Sequence, residues 1–351
     1  MPYKFLAFIF MLAVTASAEP VATQPSPQTN QAPNISMLAR PGFNAAQKGE
    51  FELASSLYEK TAKAGDNDSR WLLAGLYLSG KVRDGSKVRA RELLETAAAE
   101  GHPAASFDLG SLFQAGAFDG KPDIEKARFY YQQSAEAGHA RGQFFIGNLT
   151  MEEGASQDDK AALEWYQKAA AQNLPEAKFA LVQFYDTGRA GVGVDTIRAT
   201  ALCLEAATAG STLAMNDMGI RYQRGTGITR DDVAAIGWFS LAGQFNLAAG
   251  HINLGSCFET GRGCKQDLNI AGSHYAAASK LNHPVGQFML GRFFEEGKGT
   301  EKNPAHAYVL YSYAAAQNHA EAITRRDELK KKLSKEQIAE AEKMLKANSA
   351  P

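Results

Sequence analysis

The chain has 351 residues, with 37 Lys and Arg against 38 Asp and Glu and a formal net charge of −1. That balance speaks against a dedicated nucleic-acid binder, which carries a basic surplus to neutralise phosphates. Apolar residues make up 45% and charged residues 21%, the composition of a globular chain, and 3 cysteines are too few for a disulfide framework.

The first element is Met1–Ala18. Lys4 is its only charged side chain, Phe5–Val14 is an apolar stretch, and Ala16-Ser17-Ala18 supplies a small-x-small exit. This pattern predicts a secretory signal cut after Ala18. The apolar run is shorter than the roughly 20 residues needed to span a bilayer. No integral membrane segment is therefore expected after cleavage, and the mature chain is expected in the periplasm or secreted. Residues 19–42 carry Pro20, Pro25, Pro27, Pro33 and Pro41 among Gln, Thr, Ser and Asn, which predicts a flexible linker.

From residue 43 to 320 the chain is periodic. Ala54, Ala90, Ala127, Ala162, Ala199, Ala235, Ala271 and Ala307 follow one another at gaps of 35–37 residues. An aromatic column (Tyr77, Phe113, Tyr185, Tyr222, Phe258, Phe294) and a closing column (Gly65, Gly101, Gly138, Asn173, Gly210, Asn246, Asn282, Asn318) keep the same register. Each unit reads as two helices. In the seventh, Ile252, Leu254 and Phe258 stand at near-helical spacing, Gly261-Arg262-Gly263 breaks the helix, and Asp267 is placed to cap the next one. Asp123, Asp158, Asp195, Asp231 and Asn303 fill that capping slot in other units. Glycine in a helix costs about 1 kcal/mol relative to alanine. Its recurrence at Gly110, Gly147, Gly219, Gly255 and Gly291 implies an approach between helices too close for a side chain.

These motifs resemble the Sel-one-like repeat (SLR) family, a cousin of the tetratricopeptide repeat. Met218-Gly219, Tyr222, Gly225-Thr226-Gly227-Ile228, Asp231, Ala235 and Trp238-Phe239 carry the resemblance, and Leu290-Gly291, Phe294 and Gly297-Lys298-Gly299 repeat it. Departures are Thr150 in the aromatic column, the short turn Gly154-Ala155-Ser156, and Val182 for glycine. The resemblance implies an all-α fold, a right-handed α/α superhelix (solenoid) of about eight helix-turn-helix repeats. It also implies assembly, envelope-signalling or host-interaction roles.

The tail, residues 321–351, is charged and helical. Leu329, Leu333, Ile338, Ala341 and Leu345 supply an apolar stripe, and a capping helix over the last repeat is expected. The basic run Lys330-Lys331-Lys332 reads as a solvated face.

Motifs of chemistry are absent from the sequence. His102, His139, His283 and His319 recur in one loop slot, and His251, His274 and His306 lack the spacing of a ligand pair, so no metal or other cofactor is expected. Gly291–Gly299 (GRFFEEGKG) misses the phosphate-binding pattern by one residue and lacks its Ser or Thr. No nucleophile stands beside a base, so no enzyme is expected. Cys203 falls in the aromatic column shared by Tyr166 and Phe239 and is expected buried. The family's turn folds its apolar residue back on the first helix. For Cys257 and Cys264, seven residues apart, a disulfide in an oxidising compartment and two buried thiols are both open.

Fixed columns build a scaffold and variable ones leave room for recognition. Two variable columns lie one turn apart on the first helices, which the family places on the concave side. They contain Asp108, Phe145, Asp217, Asn253 and Met289, and Asn148, Gln183, Ile220, Ser256 and Arg292. Phe145, Ile220 and Met289 serve either as anchors for a protein or peptide partner in the groove or as packing between adjacent first helices. The reading is an exported, non-enzymatic adaptor. Its alternatives are an envelope enzyme acting on peptidoglycan or β-lactam-type substrates, and a secreted effector or surface protein binding a host receptor.

Overall fold

The computed structural model describes residues 35–83, 85–153 and 158–347. The signal segment, most of the linker and the turn Gly154-Ala155-Ser156 lie outside them. Eighteen α-helices and no strand are found among the described residues. They fall into two compact units, one ending at Gly193 and the other starting at Val194.

The first unit holds α1 (Arg40–Gln47), α2 (Phe51–Lys63), α3 (Asn67–Leu78), α4 (Lys87–Ala99), α5 (Pro103–Gln114), α6 (Ile124–Glu136), α7 (Ala140–Glu153), α8 (Asp158–Ala171) and α9 (Pro175–Thr187). A single 3-10 turn, Arg189–Gly191, follows. The second unit holds α10 (Thr196–Thr208), α11 (Thr212–Arg224), α12 (Asp232–Gln244), α13 (Ala248–Thr260), α14 (Leu268–Lys280), α15 (Pro284–Glu296), α16 (Pro304–Ala316), α17 (Ala320–Lys330) and α18 (Lys335–Ala347). Within each unit the packing is sequential: helices adjacent in the chain lie against each other. The fifth repeat contributes α9 to the first unit and α10 to the second.

The alanine column is the floor of each second helix. All eight of its members are at most 1% exposed. One turn on, Tyr58, Leu94, Tyr131, Tyr166, Cys203, Phe239, Tyr275 and Tyr311 are all buried. The recurring glycine is explained by that second column. A Cβ on Gly219 would come within 2.4 Å of the Phe239 ring, and Gly110, Gly147, Gly255 and Gly291 each meet the tyrosine of their own repeat in the same way. The ring needs the space, not the helix backbone alone. Where the second column holds Leu94 or Cys203, the glycine position holds Ala74 or Val182.

Helix boundaries follow the sequence signals. Asp123, Asp195, Asp231, Asp267 and Asn303 accept backbone N–H groups of the first turn they precede. Asp158 differs: it is the first residue of α8 rather than the residue before it. Every member of the closing column has positive φ, from 55° at Asn282 to 97° at Gly210. Glycine and asparagine are the residues that tolerate this conformation at a helix end.

Two boundaries differ from expectation. The linker ends before residue 42, because α1 begins at Arg40 with Pro41 in its first turn, where a missing N–H costs nothing. Ile35 and Ala39 are already buried. The tail is two helices, not one capping helix. Leu329 of α17 is buried with Ala307, Tyr311 and Ala314, and Leu333 packs against that cluster. The chain then turns, and α18 lies on α16: Ala341 is buried with Ala305 and Val309, with Met344 and Leu345 beside them. The apolar stripe is therefore divided between two surfaces.

Candidate functional site

The first helices are set by their ends. His102, His283 and His319 precede α5, α15 and α17, and each accepts a first-turn N–H on Nδ1, at 3.0 Å from Ala105, 3.3 Å from Val285 and 3.2 Å from Ala322. The loop slot of histidines is thus a capping slot, and an acceptor at Nδ1 requires the neutral ring. His139 takes the same place before α7, with Gly142 N–H at a long 3.4 Å and Ser134 Oγ at 3.2 Å. Burial, with Arg141 and His102 nearby, pulls His139 down to about 4. In the first unit α5 contacts α7 directly, and in the second α13, which follows Leu247 and has no side-chain cap, contacts α15.

In the first unit the Trp71 indole N–H donates to Asp108 Oδ2 at 2.6 Å. Burial raises the Asp108 carboxyl to about 6, opposed by that hydrogen bond and by Arg141. Phe145 is half-buried. It meets Phe107 edge-on at 5.4 Å and stacks on Tyr131 at 5.1 Å, so it packs between adjacent first helices. Asn148 Oδ1 accepts from the Tyr166 hydroxyl at 2.7 Å. Gln183 is exposed.

In the second unit Arg221, itself buried, holds Asp217 at 2.7 Å, and the buried Cys203 lies 3.3 Å from the same carboxylate oxygen. Burial, then the Asp217 charge, push the Cys203 thiol far up. Asn253 donates to Asn216 on the preceding first helix at 2.8 Å. Ile220 packs on the cluster of Phe239 and Leu254, and Met289 on Tyr275 and Phe293. Arg292 donates to Glu259 at 2.5 Å, and Glu259 accepts from the Tyr275 hydroxyl at 2.7 Å. The Arg292 Nε is buried without an acceptor.

Within each unit the variable columns are therefore half-open or exposed, and three of their members are hydrogen-bonded across repeats to residues outside the columns. Trp71–Asp108, Asn216–Asn253 and Glu259–Arg292 are separated by 37, 37 and 33 residues. Sequence reading placed the columns but missed Trp71, Asn216 and Glu259, whose partners are visible only once helices one repeat apart are side by side. Gln183 and Ser256 remain exposed in the columns. Cys257 and Cys264 are free thiols here. Cys257 is buried, and the Cys264 Sγ lies 3.6 Å from the Cys257 carbonyl oxygen. A cleft of 270 Å³ in the first unit is lined by Glu59, Lys63, Arg89 and Glu92 with Leu73 and Leu93 beneath, and it lies apart from these columns. No group of three or more His, Cys, Asp or Glu able to hold a metal occurs among the described residues.

The fold is shared with known structures. The protective antigen c5321 of uropathogenic Escherichia coli, which displays an SLR fold, superposes with a TM-score of 0.74 at 24% identity, covering 88% of this chain and 67% of that one. A Sel1 repeat protein from Oxalobacter formigenes gives 0.62 at 25% identity, covering 83% and 85%. The exopolysaccharide production negative regulator of Rhizobium leguminosarum bv. viciae is 27% identical over 150 residues, 39% of this chain and 56% of that protein. The chain spans from 21% to 56% of the length of the curated relatives it matches. The Sel1 repeat profile matches seven times, at residues 68–102, 103–139, 140–174, 175–211, 212–244, 248–283 and 284–319. Repeats of this kind build scaffolds for protein interaction. With the matched segments filling most of its length and every helix pair between α3 and α16 in phase with them, the chain belongs to the Sel1 repeat family.

Proposed function

We propose that this chain is an exported adaptor that holds a protein or peptide partner on the open side of its first helices, within a cell-envelope regulatory or assembly system. The carrying observation is the division of labour between columns. The alanine column, the second-helix column running from Tyr58 to Tyr311 and the recurring glycines are sealed inside, while the two variable columns stay half-open or exposed on every first helix from α3 to α15. A surface already held by repeat-to-repeat hydrogen bonds binds without ordering itself, which reduces the entropy cost of association. The names of the relatives, two exopolysaccharide production negative regulators and a chitin synthase regulatory factor, support a regulatory setting. Met1–Ala18 supports export.

Photo-crosslinking tests the surface. A benzophenone amino acid replaces Gln183 or Ser256 on the first-helix side, and Val233, 69% exposed on α12, serves as the comparison. Adducts are expected in the native envelope fraction from the first two positions and not from Val233. Adducts from Val233 alone overturn the assignment. Fractionation tests the export: the chain is expected outside the cytoplasm, shortened to start at Glu19, and an uncut cytoplasmic chain refutes it.

A further inference from the structure

The seventh repeat departs from its neighbours at two positions at once. Three residues after the buried alanine, the second helices carry only Leu, Tyr or Trp elsewhere, as at Leu93, Tyr130 and Trp238, but His274 in the seventh repeat. Four residues before the first-helix glycine, the same repeat carries His251, where adjacent repeats have Met215 and Gln287. The two exceptions meet. His251 on α13 and His274 on α14 bring their Nδ1 atoms to 3.3 Å, with ring centroids 5.5 Å apart.

Their surroundings keep both rings in place. Phe258 stacks on His274 with centroids 5.8 Å apart. Gly243 of α12 leaves room for His251, since a Cβ there would meet the imidazole at 3.0 Å. Burial lowers the pKa of both rings, for His274 with the further push of His251. Both remain half-buried, so solvent reaches the pair.

Neutral imidazoles are the commonest ligands of divalent transition metals. Two of them bound to a tetrahedral ion at about 2.0–2.1 Å have nitrogens about 3.3 Å apart. We propose that His251 and His274 form a two-histidine site for a divalent transition metal ion, with zinc as the reference ion. Because no third His, Cys, Asp or Glu of this chain joins them among the described residues, the remaining positions are open to water or to an added ligand. Such a site exchanges its ion and does not hold the fold together. The inference rests on α12–α14 and stands whether or not the first-helix columns bind a partner.

The test is calorimetric titration of the full chain with zinc chloride near neutral pH, after chelator treatment. H274L and H251Q restore residue types that other repeats carry at those positions, so helicity is expected to survive. One zinc per chain is expected in the wild type, weakened at least tenfold in each variant and unchanged in H306Q. Should a variant unfold, protection of the wild-type His251 and His274 from diethyl pyrocarbonate by zinc is read by peptide mass. Absence of zinc uptake by the wild type, equal affinity in H274L and H251Q, or no protection overturns the proposal and leaves the pair as a hydrogen-bonded contact.

Discussion

Gly255 lies beneath the Tyr275 ring so closely that a Cβ on it would come within 2.5 Å of Cε1. The ring has nowhere to go. Tyr275 is fully buried, and its hydroxyl is tied to Glu259. Overpacking of this kind costs about 1–3 kcal/mol, against a gain of about 1 kcal/mol in helix propensity for alanine over glycine. G255A is therefore expected to destabilise the second unit. G255A/Y275L, which installs the small-residue pairing seen at Ala74 and Leu94, is expected to recover part of the loss. Urea denaturation of the three proteins checks the order.

Acid should loosen the first unit through His139. Its folded pKa of about 4 lies below the ordinary 6.5, because burial penalises the charged ring. The unfolded chain therefore takes up the proton first. Stability is complete above about pH 6.5 and is lost as pH falls toward 4, at no more than about 1.4 kcal/mol per pH unit. H139N keeps a side-chain acceptor without a titrating group and should flatten this part of the curve. Thermal melts between pH 7.5 and 4.5 give the comparison, and an equal slope in H139N would refute the assignment.

Ala341 is the contact on which α18 turns. It is 0% exposed against Ala305 and Val309. A341E places a carboxylate in that apolar contact, where burying an unpaired charge costs several kcal/mol unless the helix lets go. Detachment of α18 is expected, with faster proteolysis in the turn Lys331–Ser334 and little change in the melting of α11–α16. Protease resistance equal to wild type would refute the contact.

The thiols should react in order of access. Burial raises Cys257 to about 11 and pushes Cys203 further, while Cys264 is only half-buried. Under reducing conditions Cys264 is expected to be alkylated first, with the other two modified only on unfolding. The exported reading adds a second expectation: chain recovered from an oxidising compartment and then unfolded resists alkylation at both Cys257 and Cys264 until reductant is added. Peptide mass mapping distinguishes the two states.

The architecture was legible because each repeat writes the same three constraints at the same phase. Ala271, Tyr275 and Asn282 are buried, seated and left-handed for the same reasons as Ala307, Tyr311 and Asn318. A single instance of such a triplet would carry little, but six in register, with Leu94 and Cys203 in the ring slot of the other two repeats, identify helix pairs. The surface was legible only as columns. Whether Phe145 faces solvent or Phe107 depends on the lateral packing of α5 against α7, which periodicity along one helix does not encode. The pairing of His251 with His274 was hidden for the same reason: the residues are 23 apart on two helices, and no ligand spacing within one helix announces them. The tail was misread as one helix because its apolar residues keep a helical rhythm through Lys331–Ser334, although they serve two different faces.

The glycine seat also sets how such a chain can grow or shrink during evolution. Each ring finds its vacancy on the helix just before it, as Tyr275 does at Gly255 and Tyr311 at Gly291. Recombination that joins the front of one copy to the back of another must therefore match vacancy to ring. A crossover mating Val182 with a tyrosine-bearing successor would produce a clash, whereas gain or loss of a complete copy leaves every match intact. Variation in copy number is in this sense the inexpensive mutation, and exchange of half a copy the expensive one.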